Sequence, residues 1–220
     1  MIKLCICSKG WRPSLFQCLD SWNHNMDIVM GGGLLEGHQA LFERNQEPIL
    51  GYVHDDVIVQ EPWLERVERE FDDTSVGVVG FAGALGLGAE QLGKIPWAIE
   101  QMGRCVAFRS NLKDAESHGF RFTEACDVAV LDSLVMFIRR DLLVKAGGWP
   151  IGSPIRYWCK DYFIACEAKR HGYRTRLVGV ACEHLASQSF TLGTDPYGGM
   201  EENRWIFETY KDILPIRVTA

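Results

Sequence analysis

Three places in the chain carry residue types that can do chemistry together: His54-Asp55-Asp56, Asp161 and His184. Adjacent carboxylates repel one another, and keeping both ionised at one position is costly unless a cation or hydrogen-bond donors sit beside them. The Asp55-Asp56 pair therefore invites a divalent metal. Mg2+ and Mn2+ take one or two carboxylates and complete their shells with substrate phosphate oxygens, and a histidine ligand moves the preference from Mg2+ toward Mn2+. Each feature also has a plainer role taken alone. The pair suits a turn or a helix cap, His184 a core residue or loop donor, and Asp161 the N-cap of the helix behind it.

Hydrophobic periodicity shows what would have to position these residues. IKLCICS (2–8) is a short apolar run ended by polar residues and Gly10, which predicts a strand buried on both faces of a parallel sheet. Leu15, Cys18, Leu19 and Trp22 recur at helical spacing behind Pro13, predicting a helix over 14–23. A second strand over 27–30 runs into Gly31-Gly32-Gly33, and residues 34–45 read as helical despite Gly37. PILGYVHDDV predicts a strand with its carboxylates at the C-terminal end, where ligands bind in open α/β sheets. An amphipathic helix follows Pro62, then one buried strand over 76–84. Periodicity fades over 85–125 and resumes with a strand, a short helix and a Gly147-Gly148 stop. A helix over 162–171, a last strand TRLVGVACEH ending on His184, a glycine-bearing loop and a helix over about 200–213 complete the reading. Gly193, Gly198 and Gly199, with Tyr197 and Arg204, mark 191–204 as a candidate lid.

Bulk properties narrow the class. A chain of 220 residues that is 47% hydrophobic and 24% charged is expected to form one domain with a substantial core. No apolar run is long enough for a membrane span, and MIKLCIC is too short for a signal peptide. A net charge of −6 argues against a broad nucleic-acid surface, although Arg104, Arg109, Lys113 and Arg121 can form a local basic groove. Cys5, Cys7, Cys18, Cys105, Cys126, Cys159, Cys166 and Cys182 include no CxxC pair and fall largely within strands and helices. Reduced, mostly buried thiols and a cytoplasmic protein are expected.

Order adds what single motifs lack. YVHDDV resembles the strand and DXD-type motif of the inverting GT-A glycosyltransferases of the second sequence-based family. VLDSLVMFIRRDLLVKAGGW resembles that family's acidic residue, apolar strand, basic pair and GG turn. WCKDYFIACEAKRHGYRTRLVGVACEH is similar to its base-bearing helix, strand and metal-binding histidine. The resemblance covers most of residues 2–190 and implies an α/β GT-A fold with a mostly parallel central sheet flanked by helices. The halves would be a nucleotide-binding 1–84 and a catalytic 85–190, followed by a lid and helix over 191–220.

Carried over residue by residue, the resemblance implies that Asp161 is the catalytic base and that Asp56 and His184 hold Mn2+ or Mg2+. It implies donor contacts at Ser8, Lys9, Arg12, His54, Asp55, Asp132 and Trp158. Trp149 and Trp158 flank the route to Asp161, placed either to stack on a sugar face or, for a Trp in a GG turn, to pack in the core. The donor would be a UDP- or GDP-sugar, and the acceptor a glycan, a small molecule or a modified nucleic acid. Two departures stand out: His54 replaces the first Asp of many DXD motifs, and Lys160 replaces the Glu that usually precedes the base. The Asp that contacts the nucleobase after the second strand is missing, with Gly31-Gly32-Gly33 in that region. A nucleotidyltransferase of similar fold and a non-catalytic nucleotide- or sugar-binding module are the competing readings.

Overall fold

Apolar runs on alternating strands build the middle of one large sheet in the computed structural model, which describes residues 1–88, 108–110, 124–156, 159–185 and 200–218. The strands in chain order are β1 (Ile2–Ser8), β2 (Met26–Met30), β3 (Ile49–His54), β4 (Val57–Val59), β5 (Val76–Gly80), β6 (Ala82–Ala84), β7 (Gly86–Leu87) and β8 (Phe108–Ser110). They continue with β9 (Cys126–Val128), β10 (Val130–Leu131), β11 (Val135–Arg139), β12 (Arg174–Leu177), β13 (Cys182–His184) and β14 (Ile216–Arg217). The helices are α1 (Pro13–Trp22), α2 (Leu34–Arg44), α3 (Leu64–Phe71), α4 (Arg140–Ala146), α5 (Lys160–Arg170) and α6 (Met200–Thr209).

Seven strands form the main sheet in the order β2-β1-β3-β11-β5-β12-β9. β1 is parallel to β2 and β3, and β5 to β12, while β11 runs antiparallel between β3 and β5 and β9 runs antiparallel at the edge. The sheet is thus mostly one-directional, as expected, with two reversed strands. Its faces are separately filled. Leu4, Ile6, Val53 and Phe137 point toward α1 and α3, whereas Cys5, Tyr52, Met136 and Ile138 join a core with α2, α4, α5 and α6. Period-two alternation within strands buried on both sides produces this division.

Two expected strands are broken, each for a local reason. The run 76–84 leaves the main sheet at Phe81, and β6 pairs with β10 instead. A Cβ at Gly83 would stand 2.5 Å from the Val130 carbonyl oxygen, so that close pairing needs glycine. TRLVGVACEH divides because Val180 N–H bonds to the Val178 carbonyl at 2.9 Å, a three-residue turn over Gly179 that carries the chain off the sheet. β13 then pairs antiparallel with β4, placing His184 opposite Val57. His184 does not end the last strand, since β14 follows and pairs with β7.

Of the candidate lid, 191–199 lie outside the described residues. Residues 200–204 open α6, where Glu202 and Asn203 are buried. Most of 85–125, with Arg104, Lys113, Arg121 and the Arg109 side chain, also lies outside, as do Cys105 and Trp158. None of the seven described cysteines is in a disulfide, and five are buried. No described helix is long and apolar enough to cross a membrane.

Candidate functional site

The C-terminal ends of β1 and β3 and the entry to β11 meet at one edge of the sheet. Cys7 pairs with His54, Val53 pairs with Val135, and His54 N–H bonds to the Leu134 carbonyl at 2.9 Å. The Asp55-Asp56 turn projects from this edge. Behind it, β4 is clamped to α1: Trp22 Nε1 donates to the Val57 carbonyl at 3.0 Å, and Val59 N–H donates to Ser21 Oγ at 3.2 Å. Trp22 is itself fixed by Trp63 and Phe81, with ring centroids 5.1 and 5.9 Å away. An apolar, aromatic anchor therefore sets where the acidic turn points.

The two aspartates face different partners. Asp55 accepts hydrogen bonds from Ser8 Oγ at 2.5 Å and from the Arg12 guanidinium, so three of the expected donor-contact residues form one linked group. Arg12 is the extended residue immediately before α1, whose first residue is Pro13. Lys9 is exposed on the same loop. Asp56 instead faces His184, with Oδ1 and Nε2 3.2 Å apart, and its carbonyl accepts from Leu185 N–H at 2.9 Å. The β4–β13 ladder is what brings the histidine there.

His54 joins this second group. One ligand atom each from His54, Asp56 and His184 lies within 4.8 Å of the others, and among the described residues this cluster can hold a metal ion. His54 Nε2 is enclosed and has no hydrogen-bond partner. Burial, then the nearby Lys160 cation, hold its pKa well below 6.5, leaving the neutral imidazole that coordination requires. Two imidazole nitrogens and a carboxylate oxygen are a fit donor set for a divalent cation. The adjacency of His54 to the Asp55-Asp56 turn at the end of β3 was the signal in the sequence.

A third group lies at the start of α5. Cys159 precedes it with φ 61°, a left-handed conformation uncommon for a non-glycine residue, and is buried. Asp161 is therefore not the N-cap: it is the second helical residue, and its Oδ1 accepts from Tyr162 N–H at 3.0 Å. Its surface is partly open, yet enough protein surrounds the carboxyl that lost hydration raises its pKa to about 7. The Asp132 carboxylate adds to the rise, against the opposing pull of Lys160 and helix N–H groups. Asp132 is tied into the same edge, its Oδ1 accepting from Leu134 N–H at 3.0 Å and its N–H reaching the Ala82 carbonyl at 2.8 Å.

Lys160 is 3% exposed, and nothing in its sequence context signalled that. Burial lowers its pKa, opposed by Asp161, Asp132, Glu202 and the Cys7 thiol. Trp149 is core rather than a sugar platform: it is 3% exposed and packs on His38 and Tyr52, with centroids 4.8 and 5.0 Å away. Gly31 and Gly32 adopt positive φ at the turn after β2, and Gly31 N–H bonds to the Ser8 carbonyl at 2.8 Å.

No protein-family model matches the chain, and no curated protein sequence matches it. Solved structures do. "A197 from STIV" is similar at 17% identity and a TM-score of 0.52, covering 86% of this chain and 87% of that one. "Mannosyltransferase PcManGT from Pyrobaculum calidifontis in complex with GDP-Man and Mn2+" is similar at 14% identity and a TM-score of 0.54, over 89% of this chain. "GalNAc-T7 with UDP, GalNAc and Mn2+" is similar at 12% identity and a TM-score of 0.58, over 96% of this chain. The chain spans 58% and 49% of the latter two. At such identities the likeness speaks for architecture alone. The chain has the mixed α/β architecture of the GT-A glycosyltransferases.

Proposed function

We propose that this chain is a metal-dependent, inverting glycosyltransferase that moves a sugar from a UDP- or GDP-sugar to an acceptor hydroxyl. One observation carries the reading. The Asp56–His184 pair, 3.2 Å apart, lies at the sheet edge where Asp132 also sits, and Asp132 raises the pKa of Asp161. A cation site and a carboxyl that titrates near neutrality are the two devices such a transfer needs.

Asp161 is the general base. Its carboxylate takes the proton of the acceptor hydroxyl as that oxygen bonds to the anomeric carbon. The bond from that carbon to the diphosphate oxygen breaks on the opposite face, its electron pair leaving with the nucleoside diphosphate. Configuration at the carbon inverts. Asp56 of the DXD-type segment 54–56, together with His184 from β13, would hold Mn2+ or Mg2+, which would offset charge developing on the departing diphosphate.

Ser8, Lys9, Arg12, Asp55 and Asp132 line the donor side, and Trp158 is assigned to the sugar. The whole chain acts as one catalytic domain. The buried thiols support a reducing compartment, and we assign it to the cytoplasm. The acceptor is a glycan, a small molecule or a modified nucleic acid.

Calorimetric titration with UDP and with GDP tests the reading. Affinity is expected to require Mn2+ and to fall at least tenfold in Asp56→Ala and His184→Ala. Metal-independent binding, unchanged in both folded variants, would sink the proposal.

A further inference from the structure

We propose that His54 is a third protein ligand of the metal, making the centre a two-imidazole, one-carboxylate site that selects a nitrogen-accepting first-row ion such as Mn2+ over Mg2+. This rests on the metal-site reading above and deepens it, because Asp56 and His184 alone leave the choice between those ions open.

Geometry supports the third ligand. Two ligand atoms bound about 2.1 Å from one ion stand at most about 4.2 Å apart. The three candidate atoms already lie within 4.8 Å of each other, so modest side-chain movement brings all three onto one ion. The backbone holds each in place: His54 through its N–H to Leu134, and Asp56 and His184 through the β4–β13 ribbon, which the Leu185 N–H bond to the Asp56 carbonyl extends. The His54 and His184 rings have centroids 5.8 Å apart and are tilted by 57°. His54 Nε2 is the conspicuous atom, a buried polar nitrogen with no hydrogen-bond partner. An imidazole nitrogen left this way is unfavourable in the metal-free protein and is satisfied by a cation.

Ligand chemistry then decides the ion. Mg2+ favours oxygen donors and gives up its hydration water reluctantly, whereas first-row transition ions accept imidazole nitrogen, with affinity rising from Mn2+ through Fe2+, Co2+ and Ni2+. Two neutral imidazoles and one carboxylate also leave a divalent ion with a net charge near +1 toward its remaining partners. A second carboxylate in place of His54 would cancel that charge and weaken the pull on a diphosphate.

The test uses the metal-free 220-residue chain. Pulsed electron paramagnetic resonance of bound Mn2+ counts coordinated histidine nitrogens directly in wild type; two are expected, and one overturns the proposal. Titrations with Mn2+, Co2+ and Mg2+, with and without UDP, should give at least tenfold tighter Mn2+ than Mg2+ binding in wild type. His54→Gln and His54→Ala should lose tenfold or more in Mn2+ affinity and alter the visible Co2+ spectrum, while His54→Asp should narrow the gap to Mg2+. An unchanged Co2+ spectrum and Mn2+ affinity in either folded variant removes His54 from the metal while leaving Asp56 and His184 in place. Absence of any Mn2+ binding to wild type, with or without UDP, overturns the metal-dependent reading as well.

Discussion

Arg12 reaches from the start of α1 to the carboxylate of Asp55, and this contact separates two adjacent aspartates into different tasks. Asp55 has its charge met by protein, while Asp56 faces His184. Arg12→Ala and Asp55→Asn should therefore each cost about 1–3 kcal/mol in denaturant unfolding, since a mostly buried charged hydrogen bond is broken beside a partly exposed guanidinium. Mn2+ affinity should stay within about threefold in both, because neither residue belongs to the proposed ligand set. Asp56→Asn should show the reverse pattern. Equal loss of Mn2+ binding in Asp55→Asn and Asp56→Asn would erase the distinction.

Asp161→Asn separates chemistry from helix support. Asparagine keeps an oxygen to accept from Tyr162 N–H, so melting should change by only a few degrees and metal-dependent UDP or GDP binding should persist. Transfer to acceptor should fall by roughly 100-fold or more, the scale of general-base help. Turnover of the purified variant near the wild-type rate would return Asp161 to a purely structural role.

The raised pKa of Asp161 links activity and stability to pH in opposite senses. Its folded-state value of about 7 lies above the ordinary 3.8, so between the two the folded chain holds a proton that the unfolded chain has released. That proton favours the folded state, and the contribution is lost as pH rises through the window from 3.8 to about 7. Transfer needs the ionised carboxylate and should rise over the upper part of the same range. Relative to wild type, Asp161→Asn should flatten the fall in stability, as read by urea unfolding at pH 5, 6, 7 and 8. Parallel curves for the two proteins would contradict this assignment.

A second buried carboxylate holds the C-terminal helix. Glu167 accepts from Tyr210 Oη at 2.8 Å and from Arg170 at 2.9 Å, and His171 Nε2 lies 3.2 Å from its other oxygen. Tyr210→Phe keeps the ring contact with Phe163, at 6.4 Å between centroids, but deletes the hydroxyl donor. The expected cost is about 1–2 kcal/mol, with faster hydrogen exchange along α6 than along α5. Uniform acceleration over the whole chain would point to global destabilisation instead.

The strands and helices that carry Asp55, Asp56, Asp161 and His184 were legible because each follows or begins an apolar run of the right period. The breaks at Phe81 and Gly179 were not, since both lie inside continuous apolar stretches and are set by a carbonyl approaching Gly83 and by a three-residue turn. Burial of Lys160 and Glu202 was hidden for a related reason. Charge on a helix reads as a solvated face unless tertiary packing places opposite charges around it, and Lys160 collects Asp132, Asp161 and Glu202 from three separate parts of the chain. Trp149 was ambiguous by type alone; His38 and Tyr52, which enclose it, come from α2 and β3.

The short β4–β13 ribbon also gives the site an order of assembly in time. The Asp55-Asp56 turn leaves the ribosome well before His184, and at about 5–20 residues per second it waits on the order of 10 s for its histidine partner. During that interval Asp55 has Arg12 and Ser8, while Asp56 lacks the β13 strand that brings His184 to it. If Asp56 and His184 hold a cation as proposed, a nascent or truncated chain lacks half of that pair. Metal retention would then report that translation has passed residue 184, and a chain cut short before β13 should bind Mn2+ at least tenfold more weakly.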